Sequence, residues 1–193
     1  MQLPKFKGAE KDVLLESLNW VKQNLVRTKT KITPKTMVGN RTIAQILESK
    51  KAYNCLEECV VLGEILKHNG FAPTILTFHT LTNGIGSGTH EMLLIERNGK
   101  KFTVDVQTKK IHLGEFFKEF NYMKDKVSVK RIPFHKTNFP KDSMNLNAFQ
   151  LSGFNGLFDF YARSNLSLHG SVKFLLKKAK NKVKLIPKTS KHI

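Results

Sequence analysis

The sequence is poor in cysteine and has no long apolar run. Its 193 residues contain two cysteines, Cys55 and Cys59, which are too few for a disulfide framework and too close for an undistorted disulfide within a helix. No stretch approaches the roughly 20 consecutive apolar residues of a membrane-spanning helix, and residues 1–11 lack the apolar core of a signal peptide. We therefore expect free thiols and a cytoplasmic protein, although secretion by a non-classical route stays open.

Acidic residues are also scarce, and their distribution is uneven. The chain has 15 acidic against 33 basic residues, for a net charge of +18. Residues 51–100 contain four basic and five acidic residues, whereas residues 151–193 contain nine basic and one acidic residue. The lysine-rich C-terminus predicts non-specific contact with polyanions, either nucleic acid or an anionic membrane surface. Because few aromatic residues lie among the lysines, sequence-specific reading of nucleic acid is not expected.

The apolar content is high enough for a folded domain despite this charge. Apolar residues make up 40% of the chain and include 14 phenylalanines, so wholesale disorder is excluded. We predict a core over residues 1–134, followed by a basic C-terminal extension, residues 135–193, that packs on the core or trails from it.

Apolar spacing predicts three helices in the first third of the chain. Residues 10–26 and 42–49 repeat apolar side chains every three or four positions, and residues 55–69 do so almost without a polar face. Asn54 is a good N-cap for the third helix, and Glu57 at its third position completes an approximate capping box. Residues 29–39 between the first two helices are typical of a connecting loop.

The middle of the chain is strand-like. Four segments have strand composition: residues 73–79, 90–97, 101–106 and 126–134. Asn98 and Gly99 form a strong hairpin turn between two of them. The glycine-rich residues 80–89 are interpreted as a mobile loop, and residues 114–122 as a helix or lid. Helices followed by hairpins predict an α+β fold, with N-terminal helices packed on an antiparallel sheet.

Cys55, His90 and Asp105 are the three residues whose order along the chain suggests a catalytic mechanism. Cys55 lies in the first turn of a predicted helix, where unpaired N–H groups and the helix dipole favour a thiolate and so lower the thiol pKa. Across the predicted turn, position 90 falls opposite position 107, so His90 and Asp105 share a face of the hairpin. The carboxylate can then orient the imidazole, and the imidazole can deprotonate the thiol.

These residues resemble the transglutaminase-like superfamily of papain-related thiol enzymes. The segment TIAQILESKKAYNCLEECVVLGEILKHNGFA, residues 42–72, is similar to the family's entry helix and nucleophile helix, and THEMLLIERNGKKFTVDVQT, residues 89–108, to its His and Asp strands. The resemblance implies a papain-like core with Cys55 as nucleophile, His90 as base and Asp105 as orienting residue.

A cysteine enzyme acting on a protein or peptide substrate is therefore the leading hypothesis. Cys55 would attack a peptide or glutamine carboxamide carbonyl to give a thioester acyl-enzyme, and hydrolysis or acyl transfer would follow. A cysteine peptidase, a deamidase and a transglutaminase all fit this description. Residues 80–89, directly before His90, would act as a lid or substrate contact. No cofactor or metal is expected.

Other interpretations stay open. Cys59, one helical turn after Cys55, could be the nucleophile instead, and both cysteines could be core residues. A zinc site using both cysteines and two histidines is a weaker alternative, because a compact histidine pair is lacking. A non-catalytic basic module on the same fold, binding nucleic acid or an acidic partner, is the main alternative of a different class.

Overall fold

The computed structural model describes residues 2–28, 41–124 and 126–151. The helices in these ranges are α1 (Glu10–Asn24), α2 (Ile43–Ser49), α3 (Cys55–His68) and α4 (Ala148–Leu151). The strands are β1 (Val26–Arg27), β2 (Lys51–Ala52), β3 (Ala72–Thr82), β4 (Ile85–Arg97), β5 (Lys100–Asp105), β6 (Lys110–Leu113), β7 (Phe120–Lys124) and β8 (Val127–Asn138). The loop expected at residues 29–39 and the lysine-rich C-terminus lie outside the described residues.

The predicted α+β class with an antiparallel sheet is confirmed. Strands β3 to β8 form a six-stranded sheet in the order β6-β5-β4-β3-β8-β7, and each strand runs antiparallel to its neighbours. Helix α3 packs on β3 and β4, and α1, α2 and α4 pack on α3. Strands β1 and β2 form a short parallel pair that the sequence did not predict.

Apolar side chains cover both faces of the sheet. The main core lies between the helices and one sheet face, and includes Leu14, Leu18, Ile46, Leu62, Ile75, Leu93 and Val104. A second, smaller cluster on the opposite face consists of Leu76, Phe78 and Met92, with Leu94, Phe116, Phe117 and Phe120 packed against it. Because successive side chains of a strand alternate between faces, Met92 and Leu93 belong to different clusters.

The helix starts follow from their capping residues. Thr42 Oγ1 accepts from Gln45 N–H, and Gln45 Oε1 accepts from Thr42 N–H, so α2 begins with a full capping box. At α3, Asn54 Oδ1 accepts from Glu57 N–H at 2.9 Å, as predicted. The Glu57 carboxylate differs from the prediction, because it accepts from the N–H of Tyr53 at 2.7 Å instead of that of Asn54.

A second tight hairpin replaces the loop expected at residues 80–89. Strands β3 and β4 continue through this segment and turn at Asn83 and Gly84, whose φ angles are 50° and 78°. The predicted turn at Asn98 and Gly99 has nearly the same values, 50° and 72°. The mobile-loop interpretation, which rested on the glycine content, was wrong. Asn83 and Gly84 form a second Asn-Gly pair, and both adopt the positive φ of a two-residue hairpin turn.

The helix or lid expected at residues 114–122 is also corrected. This segment has no helix, and its end forms strand β7. Phe116 and Phe120 do pack inward, against the second cluster. The spacing of the apolar residues therefore reflects their burial, and it does not indicate a helix. None of the helices in the described ranges combines the length and apolar character that crossing a bilayer requires.

The junction between the predicted core and extension lies inside a strand. Strand β8 runs from residue 127 to 138 and therefore crosses position 134. Beyond it, the ring of Phe139 lies against Gly63 of α3, and α4 packs on α3. Residues 135–151 thus add to the packing of the core.

Candidate functional site

The candidate site is divided between the two faces of strand β4. His90 lies two residues before Met92, a member of the second cluster, and Glu91 lies two residues before Leu93, a member of the main core. Neighbouring side chains of a strand point to opposite faces. The imidazole of His90 therefore lies on the face away from α3, and the carboxylate of Glu91 lies on the face that α3 covers.

Cys55 is the first residue of α3 and contacts Glu91. Its side chain is buried, with 9% of the residue's surface exposed. The thiol donates a hydrogen bond to Glu91 Oε2 at 2.8 Å. Glu91 is itself buried, so this donor and acceptor satisfy each other in an environment with little water.

This environment favours the neutral thiol of Cys55. Burial raises the pKa of the Cys55 thiol well above its usual value, and the negative charge of Glu91 and its hydrogen bond raise it further. The helix start was expected to lower this pKa. That expectation was wrong for the arrangement seen here, because desolvation and an adjacent carboxylate outweigh the helix terminus.

Cys59 lies one turn further along α3 and is completely buried. Its Sγ–H donates to the backbone carbonyl oxygen of Glu91 at 3.2 Å. Burial raises the pKa of Cys59 well above its usual value, and the nearby Cys55 and Glu91 add to the effect. Cys59 therefore attaches α3 to β4 and is the worse placed of the two cysteines to react.

His90 and Asp105 meet across the β4–β5 hairpin. Leu93 pairs with Val104, and the same register continued places His90 opposite Gln107, as the turn at Asn98 and Gly99 predicted. His90 Nε2 lies 3.1 Å from Asp105 Oδ2. Both residues are buried, so the contact is shielded from bulk water.

Asp105 is held in its charged form. Burial alone raises the pKa of Asp105, but the hydrogen bond and charge of His90, together with hydrogen bonds from Thr108, outweigh burial and lower the pKa to about 2. Asp105 Oδ1 also accepts from the backbone N–H groups of Gln107 at 2.9 Å and Thr108 at 3.3 Å. The carboxylate is thus fixed on one side by the chain and on the other by the imidazole.

The His90–Asp105 pair lines a cavity of about 620 Å³. Phe116, Phe120, Tyr122 and Arg131 also line it. Cys55 and Glu91 are not among the lining residues, which agrees with their place on the other face of β4.

The structure thus joins two of the three predicted site residues. His90 and Asp105 are in contact, whereas the hydrogen-bond partner of Cys55 is Glu91. Sequence reasoning missed Glu91, although a signal exists, because Glu91 alternates with the apolar Leu93 and Ile95 and so occupies a core-facing position. An acidic residue at such a position requires a buried partner.

The described residues contain no group of three or more His, Cys, Asp and Glu side chains arranged to hold a metal ion. Cys55 and Cys59, which the zinc alternative would use, are among these described residues.

Comparison with models of protein families and with curated proteins finds no match for this chain. The resemblance to the transglutaminase-like superfamily therefore stays a prediction.

Proposed function

We propose that this protein is a thiol enzyme of the transglutaminase-like type, in which Cys55 attacks a peptide or glutamine carboxamide carbonyl. The observation that carries the proposal is the placement of three groups around the middle of β4. Cys55, at the start of α3, shares a hydrogen bond of 2.8 Å with Glu91, and the next residue, His90, pairs with Asp105 at 3.1 Å. A nucleophile, a proton acceptor and an oriented imidazole are the groups that acyl transfer requires.

The proton of the thiol has a defined first acceptor in this arrangement. Glu91 Oε2 takes the proton as Cys55 Sγ bonds to the carbonyl carbon of the substrate. The carbon–nitrogen bond then breaks, and the leaving amine takes a proton from the protonated imidazole of His90 to depart as a neutral molecule. Water or a second amine next attacks the thioester and gives a proton to His90, and the Cys55 sulfur leaves with the proton that Glu91 held, which releases the acyl product. Glu91 is thus a further base that the resemblance to the family does not supply.

His90 and Asp105 have the second role in the proposal. An imidazole oriented by a carboxylate can accept and donate protons, and the carboxylate stabilises the charge that this creates. We assign this pair the proton transfers to the leaving group and from the attacking water; because the pair lies on the face of β4 opposite Cys55, the acylation rate of His90→Asn decides this assignment. Whether the product is that of a peptidase, a deamidase or a transglutaminase depends on the acceptor that enters.

The test is the formation of an acyl adduct with an activated ester. The protein is incubated with a p-nitrophenyl acyl ester, and the adduct is located by peptide mass spectrometry. A thioester on Cys55 that neutral hydroxylamine removes is the expected product, since amides formed on lysine resist that reagent. Cys55→Ala should lose this adduct and Cys59→Ala should keep it. His90→Asn should slow its formation by about 10²–10⁴-fold, the usual contribution of general acid–base catalysis.

His68→Asn is the matched control, because His68 is an exposed residue at the end of α3. It should acylate at the wild-type rate. A hydroxylamine-sensitive adduct on Cys59, or none on either cysteine, contradicts the proposal. If His68→Asn and His90→Asn lower the rate of acylation equally, His90 does not have the role assigned to it.

The raised pKa of the Cys55 thiol favours one second candidate, a non-catalytic basic module that binds nucleic acid. In that case the Cys55 thiol only packs in the core, and the net charge of +18 attracts the nucleic acid. A fluorescent single-stranded oligonucleotide should then bind with an affinity that falls steeply with salt, and Cys55→Ala should bind equally well. Acylation of Cys55 at a rate that depends on His90 excludes this candidate.

A further inference from the structure

Arg131 of β8 is a buried cation whose hydrogen-bond partners are neutral. Only 8% of its surface is exposed. Its Nη1 donates to the hydroxyl of Thr80, and its Nη2 donates to the hydroxyl of Tyr122 at 3.0 Å. Its Nε is buried and has no hydrogen-bond partner among the described residues. Among the described residues, the guanidinium is therefore held by two hydroxyl groups and has no carboxylate beside it to balance its charge.

Two buried carboxylates of α3 do have opposite charges beside them. On α3, buried Glu57 pairs with Arg41 at 2.5 Å, and buried Glu58 pairs with Lys22 at 2.9 Å. Within the described ranges no carboxylate lies within 4.0 Å of a guanidinium nitrogen of Arg131. A guanidinium remains charged in proteins, and an unbalanced buried charge is unfavourable. Arg131 thus requires an anion that the described fold does not provide.

The cavity that Arg131 lines has the charge to attract such an anion. Lys110 and Lys124 also line it, and the acidic residue in its lining is Asp105. That carboxylate already accepts from Gln107 N–H and lies 3.1 Å from His90 Nε2. The cavity therefore carries an excess of positive charge, in addition to the buried guanidinium.

Part of the lining is apolar or aromatic, namely Met92, Phe116, Phe120, Tyr122 and Met123. Phe116 and Phe120 meet edge to face with their ring centroids 5.1 Å apart, and the ring of Tyr122 stacks on Phe120 at 6.1 Å. The volume of about 620 Å³ falls in the usual range for small-molecule sites, roughly 300–1,000 Å³. Aromatic walls with a few convergent polar groups are typical of such sites.

We propose that this cavity binds a small ligand that joins an apolar group, of about the size of a phenyl ring, to a carboxylate or phosphate anion. The aromatic walls hold the apolar group, and Arg131 binds the anion. This binding site does not rest on the proposed function, because Cys55 does not line the cavity.

Calorimetric titration of the full chain with three probes tests the site. The probes are 3-phenylpropionate, phenyl phosphate and the neutral 3-phenylpropanamide. At least one anionic probe should bind about tenfold or more tightly than the amide, because a hydrogen bond to a charged group contributes at least that factor. The better of the two anions identifies the ligand as a carboxylate or a phosphate. Cys55→Ala should bind all probes as the wild type does, which separates this result from any failure of the acylation test.

Substitutions of two arginines then show whether the anionic group of the probe binds at Arg131. Arg131→Gln should weaken binding of the anionic probe about tenfold or more and leave binding of the amide unchanged. Arg97→Gln is the matched control, because Arg97 lies over the ring of Phe71, outside the cavity lining, and it should bind as the wild type does. Equal affinity for anions and amide, no binding of any probe, or full binding by a folded Arg131→Gln overturns the proposal. If Arg131→Gln does not fold, the wild-type comparison of anion with amide decides alone.

Discussion

The thiol of Cys55 donates to a carboxylate oxygen of Glu91, 2.8 Å away, in a buried contact between α3 and β4. The contact keeps the thiol neutral and gives its proton a route to leave. A thiol next to a carboxylate is a poor nucleophile until that proton moves. The reactivity of Cys55 should therefore depend on Glu91 more than on the helix terminus.

Glu91→Gln should make Cys55 react faster with iodoacetamide at neutral pH. The substitution removes the negative charge that raises the thiol pKa, while burial, the largest cause, remains. The pH at which alkylation accelerates should shift downward, and the rate at pH 7 should rise severalfold. The measurement is the alkylation rate against pH by mass spectrometry, with Cys59→Ala as background so that a single thiol is followed.

Glu96→Gln is the control for this effect, because Glu96 lies on the same strand with its side chain half exposed. It should leave the profile of Cys55 unchanged. An unchanged or slower rate in Glu91→Gln would show that the Glu91 carboxylate does not set the pKa of this thiol. Acylation should respond in the opposite direction, since Glu91→Gln removes the proposed proton acceptor.

The sequence predicted the His90–Asp105 contact but not the contact of Cys55. An Asn-Gly turn fixes the register of its hairpin, so His90 falls opposite position 107 and Asp105, two residues from that position, lies on the same face within side-chain reach. The neighbour of Cys55 depends on how α3 lies across the sheet, which local pattern does not specify. The identity of the strand residue facing α3 decides whether the thiol meets an imidazole or a carboxylate, and Glu91 occupies that position.

The Asp105 carboxylate should stabilise the fold above about pH 4 and lose this effect as the pH falls toward 2. Its pKa is about 2 in the folded chain against 3.8 ordinarily, so the folded state binds the proton less readily than the unfolded state. The difference corresponds to about 2 kcal/mol. Urea unfolding of wild type and Asp105→Asn should therefore differ more at pH 6 than at pH 2.

Asp142→Asn provides the comparison, because Asp142 is exposed. Its stability should follow that of the wild type at both pH values. If Asp105→Asn loses as much stability between pH 6 and pH 2 as the wild type does, Asp105 is not the charged partner of His90.

Gly63 should not tolerate alanine. A Cβ at this position of α3 would lie 2.6 Å from the ring of Phe139. Alanine favours a helix over glycine by about 1 kcal/mol, but overpacking costs typically about 1–3 kcal/mol. Chemical denaturation should show Gly63→Ala destabilised by about 1 kcal/mol, and by at most about 2 kcal/mol. In the background of Phe139→Leu, the same substitution should be neutral or stabilising, and an equal cost in both backgrounds would contradict the contact.

Arg41 should be required for the position of Cys55. Its guanidinium binds buried Glu57 at 2.5 Å and donates to the carbonyl oxygen of Lys51 at 2.7 Å. Glu57 in turn accepts from Tyr53 N–H, two residues before the thiol. Arg41→Met leaves the Glu57 charge buried without a cation, and we expect a loss of about 3 kcal/mol in urea unfolding.

The double variant Arg41→Met with Glu57→Gln should regain most of that loss, because no unbalanced charge remains. The exposed ion pair of Lys101 and Glu96 is the comparison for the buried pair. Lys101→Met should change the free energy of unfolding by less than about 0.5 kcal/mol. Alkylation of Cys55 should accelerate in Arg41→Met, as the start of α3 loosens and water reaches the thiol, and slow again in the double variant. Equal alkylation in all three proteins would mean that Arg41 stabilises the fold without positioning the cysteine.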